Sequence, residues 1–246
     1  MSTVVYDIKG HVMVVTLDRP NVRNAWNSDL AQELHNAWKR LVADDQIRVC
    51  VVTATGSYFS AGMDLKDPPM DLATLAMPNL SIPCNKPIIV AAEGFAIGYA
   101  AVFCLLADMV FAGASTYFLY PEAKMGLFQG MMGGFPGRLQ YKAGLQWLMT
   151  ADRLSATRAC EIGLVNEVVE DGKSLERAMA IAEKIAANAP MVVQAMKAVA
   201  LGTVTKGPVE ANFHHNRMIA RVMSSDDGKE GFASFKERRP AKFNGR

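Results

Sequence analysis

Ile88-Ile89-Val90-Ala91-Ala92-Glu93-Gly94-Phe95-Ala96-Ile97-Gly98-Tyr99 opens a stretch that continues through Ala100-Ala101-Val102-Phe103-Cys104-Leu105-Leu106-Ala107 to Asp108. Ile88–Ala92 has the β-branched content of a strand. Glycines follow at 94 and 98, and small residues there let the backbone turn tightly or approach a ligand closely. From Gly94 to Ala107, 14 residues carry neither charge nor proline, and Glu93 and Asp108 bracket them. A membrane-spanning helix needs roughly 18 or more apolar residues, so the run reads as a buried helix. Strand, glycine turn and buried helix in succession predict an α/β arrangement.

The pattern extends outward from that core. Towards the N-terminus, Val4–Ile8 and Val12–Leu17 read as strands, and Arg19-Pro20-Asn21 ends the second. Asn27 or Ser28 caps a helix whose Leu30, Leu34, Trp38 and Leu41 make one apolar stripe. Val49–Thr53 is a further strand. Asp67–Pro83 holds four prolines and reads as a long loop. Towards the C-terminus, Met109–Ala112 and Thr116–Leu119 are strand-like. Ser155 caps a short helix that stops at Gly163, and Val165–Val169 is a short strand. Ser174–Asn188 reads as a helix with Leu175, Met179, Ala182 and Ile185 on its inner side. Helices at about Met191–Leu201, Pro208–Met223 and Lys229–Arg238 suggest a C-terminal helical module over 190–246, after a core of 1–189.

Composition limits the possible functions. Half of the 246 residues are hydrophobic and 20% are charged, which supplies a sizeable core and excludes disorder as the overall state. Lys+Arg 26 against Asp+Glu 24 gives a net charge of +2, without the basic surplus of a nucleic-acid binder. No signal peptide is visible in Met1–Gly10, and no segment reads as a membrane span. Cys50, Cys84, Cys104 and Cys160 lie far apart and read as buried free thiols of a cytoplasmic protein. His11, His35, His214 and His215 show no metal-ligand spacing, so no metal site is expected.

Two glycine-bearing turns could carry chemistry. One is Phe59-Ser60-Ala61-Gly62-Met63-Asp64-Leu65, and the other is Glu93–Tyr99. If the N–H groups of Met63 and Tyr99 converge, they form an oxyanion hole for a thioester or ketone oxygen. By spacing alone, two ordinary strand–helix turns explain the same residues.

A resemblance weighs between these readings. Leu17-Asp18-Arg19-Pro20 with Asn24-Ala25, the Ala61-Gly62-Met63-Asp64-Leu65 segment, Gly94–Gly98, Ala107-Asp108, Pro121-Glu122 and Gly126-Leu127 are similar, in order, to the crotonase (enoyl-CoA hydratase/isomerase) superfamily. So are Ala156–Val169 and Phe235–Arg246. The resemblance implies a spiral of ββα repeats with a C-terminal helical module. It implies an acyl-CoA substrate, whose coenzyme A arrives as part of that substrate, and no other cofactor. It implies a homotrimer or a dimer of trimers. Met63 and Tyr99 take the two oxyanion-hole positions, with Gly62 and Gly98 before them. Asn21, Val22, Ala61, Asp64, Leu65, Gly98 and Val102 fall at substrate-binding positions, and Arg23 or Lys242 could meet CoA phosphate.

Hydratases of that superfamily use two glutamates. Counting from Asp108, the second position holds Glu122, the candidate general acid/base, and the first holds Val102. Valine neither transfers a proton nor holds a water by hydrogen bonding, so a two-glutamate hydration is not expected. Isomerisation of an enoyl-CoA, or hydration by an altered route, follows instead. Two alternatives share the fold: cofactor-free cleavage of a β-diketone, and a non-catalytic CoA-ester binder. Tyr99 and Ala100 also depart from the glycines usual there, so the Tyr99 ring must turn away from a thioester or narrow the site. Met70, Met131, Met132 and Phe135 could line an acyl pocket or pack in the core.

Overall fold

The computed structural model describes residues 2–69, 73–80, 82–127 and 130–245; side chains at 73, 213–218 and 220 are also outside the description. Nine strands and ten α-helices lie within those residues. A six-stranded sheet contains β1 (Val4–Lys9), β2 (Val12–Leu17), β3 (Val49–Ala54), β4 (Ile88–Ala92), β6 (Met109–Gly113) and β9 (Glu167–Val169), in that order. Only the β1–β2 hairpin is antiparallel; every later neighbour is parallel. A smaller sheet contains β5 (Phe95–Ile97), β7 (Tyr117–Leu119) and β8 (Leu154–Ser155).

The two sheets alternate along the chain. β4 of the large sheet leads to β5 of the small one and then to helix α3 (Tyr99–Leu106). β6 leads in the same way to β7 and then to α4 (Glu122–Met125). β3 leads to Ser60, which bridges Ala96 of β5 in parallel and extends the small sheet by one strip. A short helix α2 (Ala73–Ala76) follows. This is the ββα spiral that the sequence suggested.

Both faces of the large sheet are covered, as parallel sheets require. The alternation of β2 shows how. Met13, Val15 and Leu17 join the main core with α1 (Ser28–Ala43), while Val12 and Val14 join a second cluster. Asn27 caps α1 by accepting the Leu30 N–H at 3.1 Å, and Leu30, Leu34, Trp38 and Leu41 are buried as the stripe predicted. The second cluster packs on α7 (Ser174–Ala186). Met179, Ala182 and Ile185 pack on this cluster as expected, and the expectation is corrected at Leu175. Ala178, Ala182 and Ala186 face the sheet, and Leu175 is exposed. Alanine lets the helix lie close against Val49, Val51, Ile89 and Phe111, whereas Leu175 would hold it off.

Three other expectations are refined. The apolar run 94–107 is not helical throughout, because β5 occupies 95–97 before α3 begins. α5 (Tyr141–Thr150) and a 3-10 segment Met131–Gly137 occupy a region the sequence left unassigned. Cys160 is only partly buried, unlike the other three thiols.

The chain continues through α6 (Ala156–Glu161), capped by Ser155, to the C-terminal helices α8 (Pro190–Thr203), α9 (Pro208–Ser224) and α10 (Asp226–Glu237). α8 is tied to the core by Lys197, whose Nζ donates to Asp108 Oδ2 at 2.6 Å and to the Lys86 carbonyl at 2.8 Å. Asp108 Oδ2 also accepts the Ile88 N–H at 2.7 Å, so the Ala107-Asp108 step joins the exit of α3, the start of β4 and α8. α9 is clamped by a bidentate Arg138–Glu210 pair beside the glycines of the 3-10 segment. α8 itself buries no residue, and Met191, Met196 and Val199 stand exposed on it.

Candidate active site

Three chain segments end side by side at the site. β5 runs in parallel register with β7, pairing Ile97 with Leu119, and the Gly98 N–H then donates to the Leu119 carbonyl at 2.9 Å. On the other flank the Ile97 N–H donates to the Ser60 carbonyl at 3.1 Å. The segments beyond these bonds are 61–65, 98–99 and 120–122. Crevices beyond the carboxyl ends of parallel strands are where open α/β sheets place their ligands.

The first turn is held from beneath by Trp26. Its N–H donates to the Gly62 carbonyl at 2.7 Å, and its carbonyl accepts the Asp64 N–H at 2.9 Å. Groups of alternate residues in a strand point to opposite sides, so the Met63 N–H faces away from Trp26. Gly62 has φ +84°, and a Cβ on it would stand 2.4 Å from the Ile97 carbonyl oxygen and 3.5 Å from the Tyr99 nitrogen. Only glycine permits this approach, and the approach brings the two turns together. Gly98, at φ +54°, starts α3. The Tyr99 ring turns inward to pack with Trp26 at 6.3 Å between centroids, and Trp26 meets Phe103 edge-on at 5.6 Å.

A cavity of about 170 Å³ opens here, lined by Ala61, Met63, Leu65, Ile97, Gly98, Tyr99, Pro121, Glu122, Met125 and Leu127. Glu122 begins α4, and its Oε1 lies 3.9 Å from where a Cβ on Gly98 would be. Its Oε2 is buried without a hydrogen-bond partner among the described residues. Burial pushes this carboxyl up to about 7 from an ordinary 4.5. A carboxyl poised there both takes and gives a proton near neutrality. Tyr120, buried beside it, has its phenol pushed well above the ordinary range, chiefly by burial and further by Glu122 and Tyr99.

Val102 lies one turn along α3, fully buried in the core, with its N–H on the Gly98 carbonyl at 3.1 Å; it does not line the cavity. Met131, Met132 and Phe135 are core residues of the 3-10 segment, which touches α3, α5 and α9, and they are not among the residues that line this cavity. Met70 lies outside the described residues, as do the side chains of His214 and His215. Among the described residues no three metal-ligating side chains cluster.

Asn21 and Val22 form an exposed 3-10 turn with Pro20, beside the first glycine turn. The Arg23 carbonyl accepts the Ala61 N–H at 2.9 Å, which places this turn next to Ala61. Asp64 pairs with Arg19 at 3.1 Å. Burial works to raise Asp64, but the Lys66 N–H and Arg19 outweigh it and hold the carboxyl below its usual range. Lys242 is elsewhere, in the C-terminal segment, with its N–H on Glu230.

Several residues of the site carried no periodic signal. Buried Asn24 accepts the Arg19 N–H and donates to the carbonyls of Thr55 and Tyr58, and Ser60 Oγ bonds the Asn24 carbonyl and the Gly62 N–H. This network fixes the first turn. A larger cavity, about 540 Å³, lies between the end of α3 and α8, next to the Lys197–Asp108 pair. None of the candidate residues lines it.

A spiral of ββα units with paired glycine turns beside a desolvated carboxylate defines the crotonase-type class of proteins. The chain matches the enoyl-CoA hydratase/isomerase family model over residues 7–246 and belongs to that family. It is 35% identical to enoyl-CoA hydratase EchA19 of Mycobacterium tuberculosis, over 97% of this chain and 95% of that one. It is 31% identical to 2,3-dehydroadipyl-CoA hydratase of Escherichia coli, over the whole of both chains. The crystal structure of carnitinyl-CoA hydratase from Mycobacterium avium superposes with a TM-score of 0.77 at 32% identity, covering both chains fully.

Proposed function

We propose that the protein moves the double bond of an enoyl-CoA thioester through an enolate, with Glu122 as the proton carrier. The N–H groups of Met63 and Tyr99 polarise the thioester oxygen in this reading. Glu122 removes a proton from C2 of a 3-enoyl thioester, and the electron pair delocalises onto the thioester oxygen. The same carboxyl returns the proton at C4, leaving the 2-enoyl product, so atoms and charge balance with no added reactant. Losing one oxyanion donor typically costs ~3–4 kcal/mol of barrier.

One observation carries this choice over hydration: Glu122 is the single carboxyl among the described residues that line the cavity, and the other hydratase position is the buried Val102. Addition of water needs one group to activate the water and a proton delivered to C2. The names of the relatives favour hydration as the second reading, by an altered route in which Glu122 serves both roles.

The test is direct. The protein is incubated with 3-enoyl-CoA and, separately, with 2-enoyl-CoA, and the conjugated-thioester absorbance is followed. Its rise with the first substrate, with no 3-hydroxyacyl-CoA formed from either, supports isomerisation. Its loss with the second, with 3-hydroxyacyl-CoA as the product, means hydration. Turnover of a β-diketone alone, or tight CoA binding without turnover, would replace the reading with cleavage or with a binder. The proposed assembly is a homotrimer or dimer of trimers, supported by the exposed apolar faces of α8 and α10, including Met191 and Phe235. The proposed setting is the cytoplasm, which suits four free thiols.

A further inference from the structure

The N–H groups of Met63 and Tyr99 belong to different turns, and Trp26 touches both turns. Its backbone holds the first. It bridges Met63 in parallel, donating to the Gly62 carbonyl and accepting the Asp64 N–H. Its indole grips the second. Tyr99 and Phe103, four residues apart on α3, lie on one face of that helix. The indole meets both, 6.3 Å from the Tyr99 ring and 5.6 Å from Phe103 between centroids. Phe103 is walled in turn by Trp38 at 6.1 Å and Phe59 at 6.2 Å. Trp26 is fully buried, so close packing holds the indole in one place.

The indole is also a costly choice for mere filling. Its Nε1 is buried without a hydrogen-bond partner among the described residues, whereas Nε1 of Trp38 donates to the Ala76 carbonyl at 2.7 Å. Leucine or phenylalanine at 26 would avoid the unpaired donor. What the indole adds is reach, from the first turn to the ring of the residue that opens the second.

We propose that Trp26 is the positioning residue of the oxyanion hole. Its backbone fixes the Met63 N–H, its indole fixes the start of α3 that presents the Tyr99 N–H, and one rigid side chain thereby sets the separation of the two donors. The inference rests on the thioester reading above. Stabilisation of an oxyanion depends steeply on donor placement, and an error of about 1 Å costs on the order of a hundredfold in rate.

Butyryl-CoA with an isotope-labelled thioester carbonyl tests this without turnover. Difference infrared spectroscopy reads the carbonyl stretch, which should move to lower frequency on binding to the wild-type protein. Trp26→Leu should lose at least about half of that displacement and lower kcat by about tenfold or more, with KM changed by less than about threefold. Trp38→Leu is the matched control: it also removes a tryptophan from the Phe103 ring, but its hydrogen bond goes to Ala76 and not to either turn. It should keep the displacement and change kcat by less than about threefold. An undiminished displacement in Trp26→Leu, or an equal loss in Trp38→Leu, overturns the proposal. Where Trp26→Leu does not fold, Trp26→Phe keeps a shorter ring and should show a smaller loss in the same direction; an unchanged displacement there overturns the proposal as well. Failure of butyryl-CoA to bind the wild-type protein, or binding with no displacement, overturns the thioester reading itself.

Discussion

Gly98 stands directly against Glu122: a methyl group built on its α-carbon would lie 3.9 Å from the carboxyl Oε1. The contact follows from the sheet, because the Gly98 N–H is bonded to the Leu119 carbonyl just before Tyr120-Pro121-Glu122. Space for a methyl therefore exists, but the backbone forbids it. Gly98 has φ +54° and ψ −115°, a conformation open to glycine and strained for other residues.

Gly98→Ala should consequently lose about 1–2 kcal/mol of stability through strain rather than collision. In a chain of this size each kcal/mol corresponds to roughly 2–4 °C in Tm. Relief of the strain would rotate the peptide that presents the Tyr99 N–H. Turnover should fall by about a hundredfold, more than the stability loss explains. Calorimetry and steady-state kinetics on one preparation separate the two; an unchanged rate would remove Tyr99 from the proposed hole.

The carboxyl of Glu122 sets the pH behaviour. Because burial raises it to about 7, it is a base only above that value. kcat/KM for proton removal should therefore rise with pH through about 7 and level off. The stability effect has the opposite sense. Between 4.5 and about 7 the folded protein holds a proton that the unfolded chain has released. Stability from this group thus falls as pH rises through that window. Glu122→Gln should abolish the kinetic rise and flatten this part of the stability profile, measured by denaturant unfolding at several pH values. A wild-type profile as flat as that of the variant would contradict a raised Glu122.

Val102→Glu asks whether the missing carboxylate can be restored. Val102 is fully buried on α3, one turn from Gly98. A carboxyl placed there loses its hydration, so Tm should drop by several degrees, with a cost of ~1–3 kcal/mol or more. Hydration of 2-enoyl-CoA should appear or increase at least tenfold in Val102→Glu and not in Val102→Gln, which has the same shape without the charge. Equal hydration by both variants would show that position 102 does not govern the water.

Much of the large sheet was legible because its strands are long and β-branched, as in Val12–Leu17 and Val49–Ala54. β5 was hidden because Phe95–Ile97 is three residues inside an apolar run, where length and composition do not separate strand from helix. On α7 the apolar spacing found Met179, Ala182 and Ile185 but not the exposure of Leu175, because the closest packing on the sheet is made by Ala178, Ala182 and Ala186. Met63, Tyr99 and Glu122 were reached through the resemblance and do lie on one cavity. The bonds of Arg19, Asn24 and Ser60 join residues up to 45 positions apart, and no local pattern encodes such pairs. Met125 and Leu127 also line the cavity, and no spacing in the sequence marks them for it.

α9 rests on a buried ion pair of its own. Arg138 donates from Nη2 to Glu210 Oε1 at 2.8 Å, and Glu210 Oε2 accepts the Gly207 N–H at 2.9 Å. The pair sits where a Cβ on Gly134 would be 2.0 Å from Glu210 Oε2, so α9 rests directly on the glycine backbone of the 3-10 segment. Removing only the cation leaves a carboxylate with a backbone N–H for company in a place closed to water. Arg138→Met should therefore cost ~3–5 kcal/mol, as breaking one side of a buried pair does. Arg138→Met combined with Glu210→Gln should recover at least ~1 kcal/mol of that loss, because the stranded charge is gone. A double-mutant cycle from thermal or denaturant unfolding gives the coupling. Hydrogen exchange at 130–139 should rise in the single variant and partly recover in the double. Strict additivity of the two substitutions would mean that packing of the glycines against Pro208, rather than the ion pair, holds α9 in place.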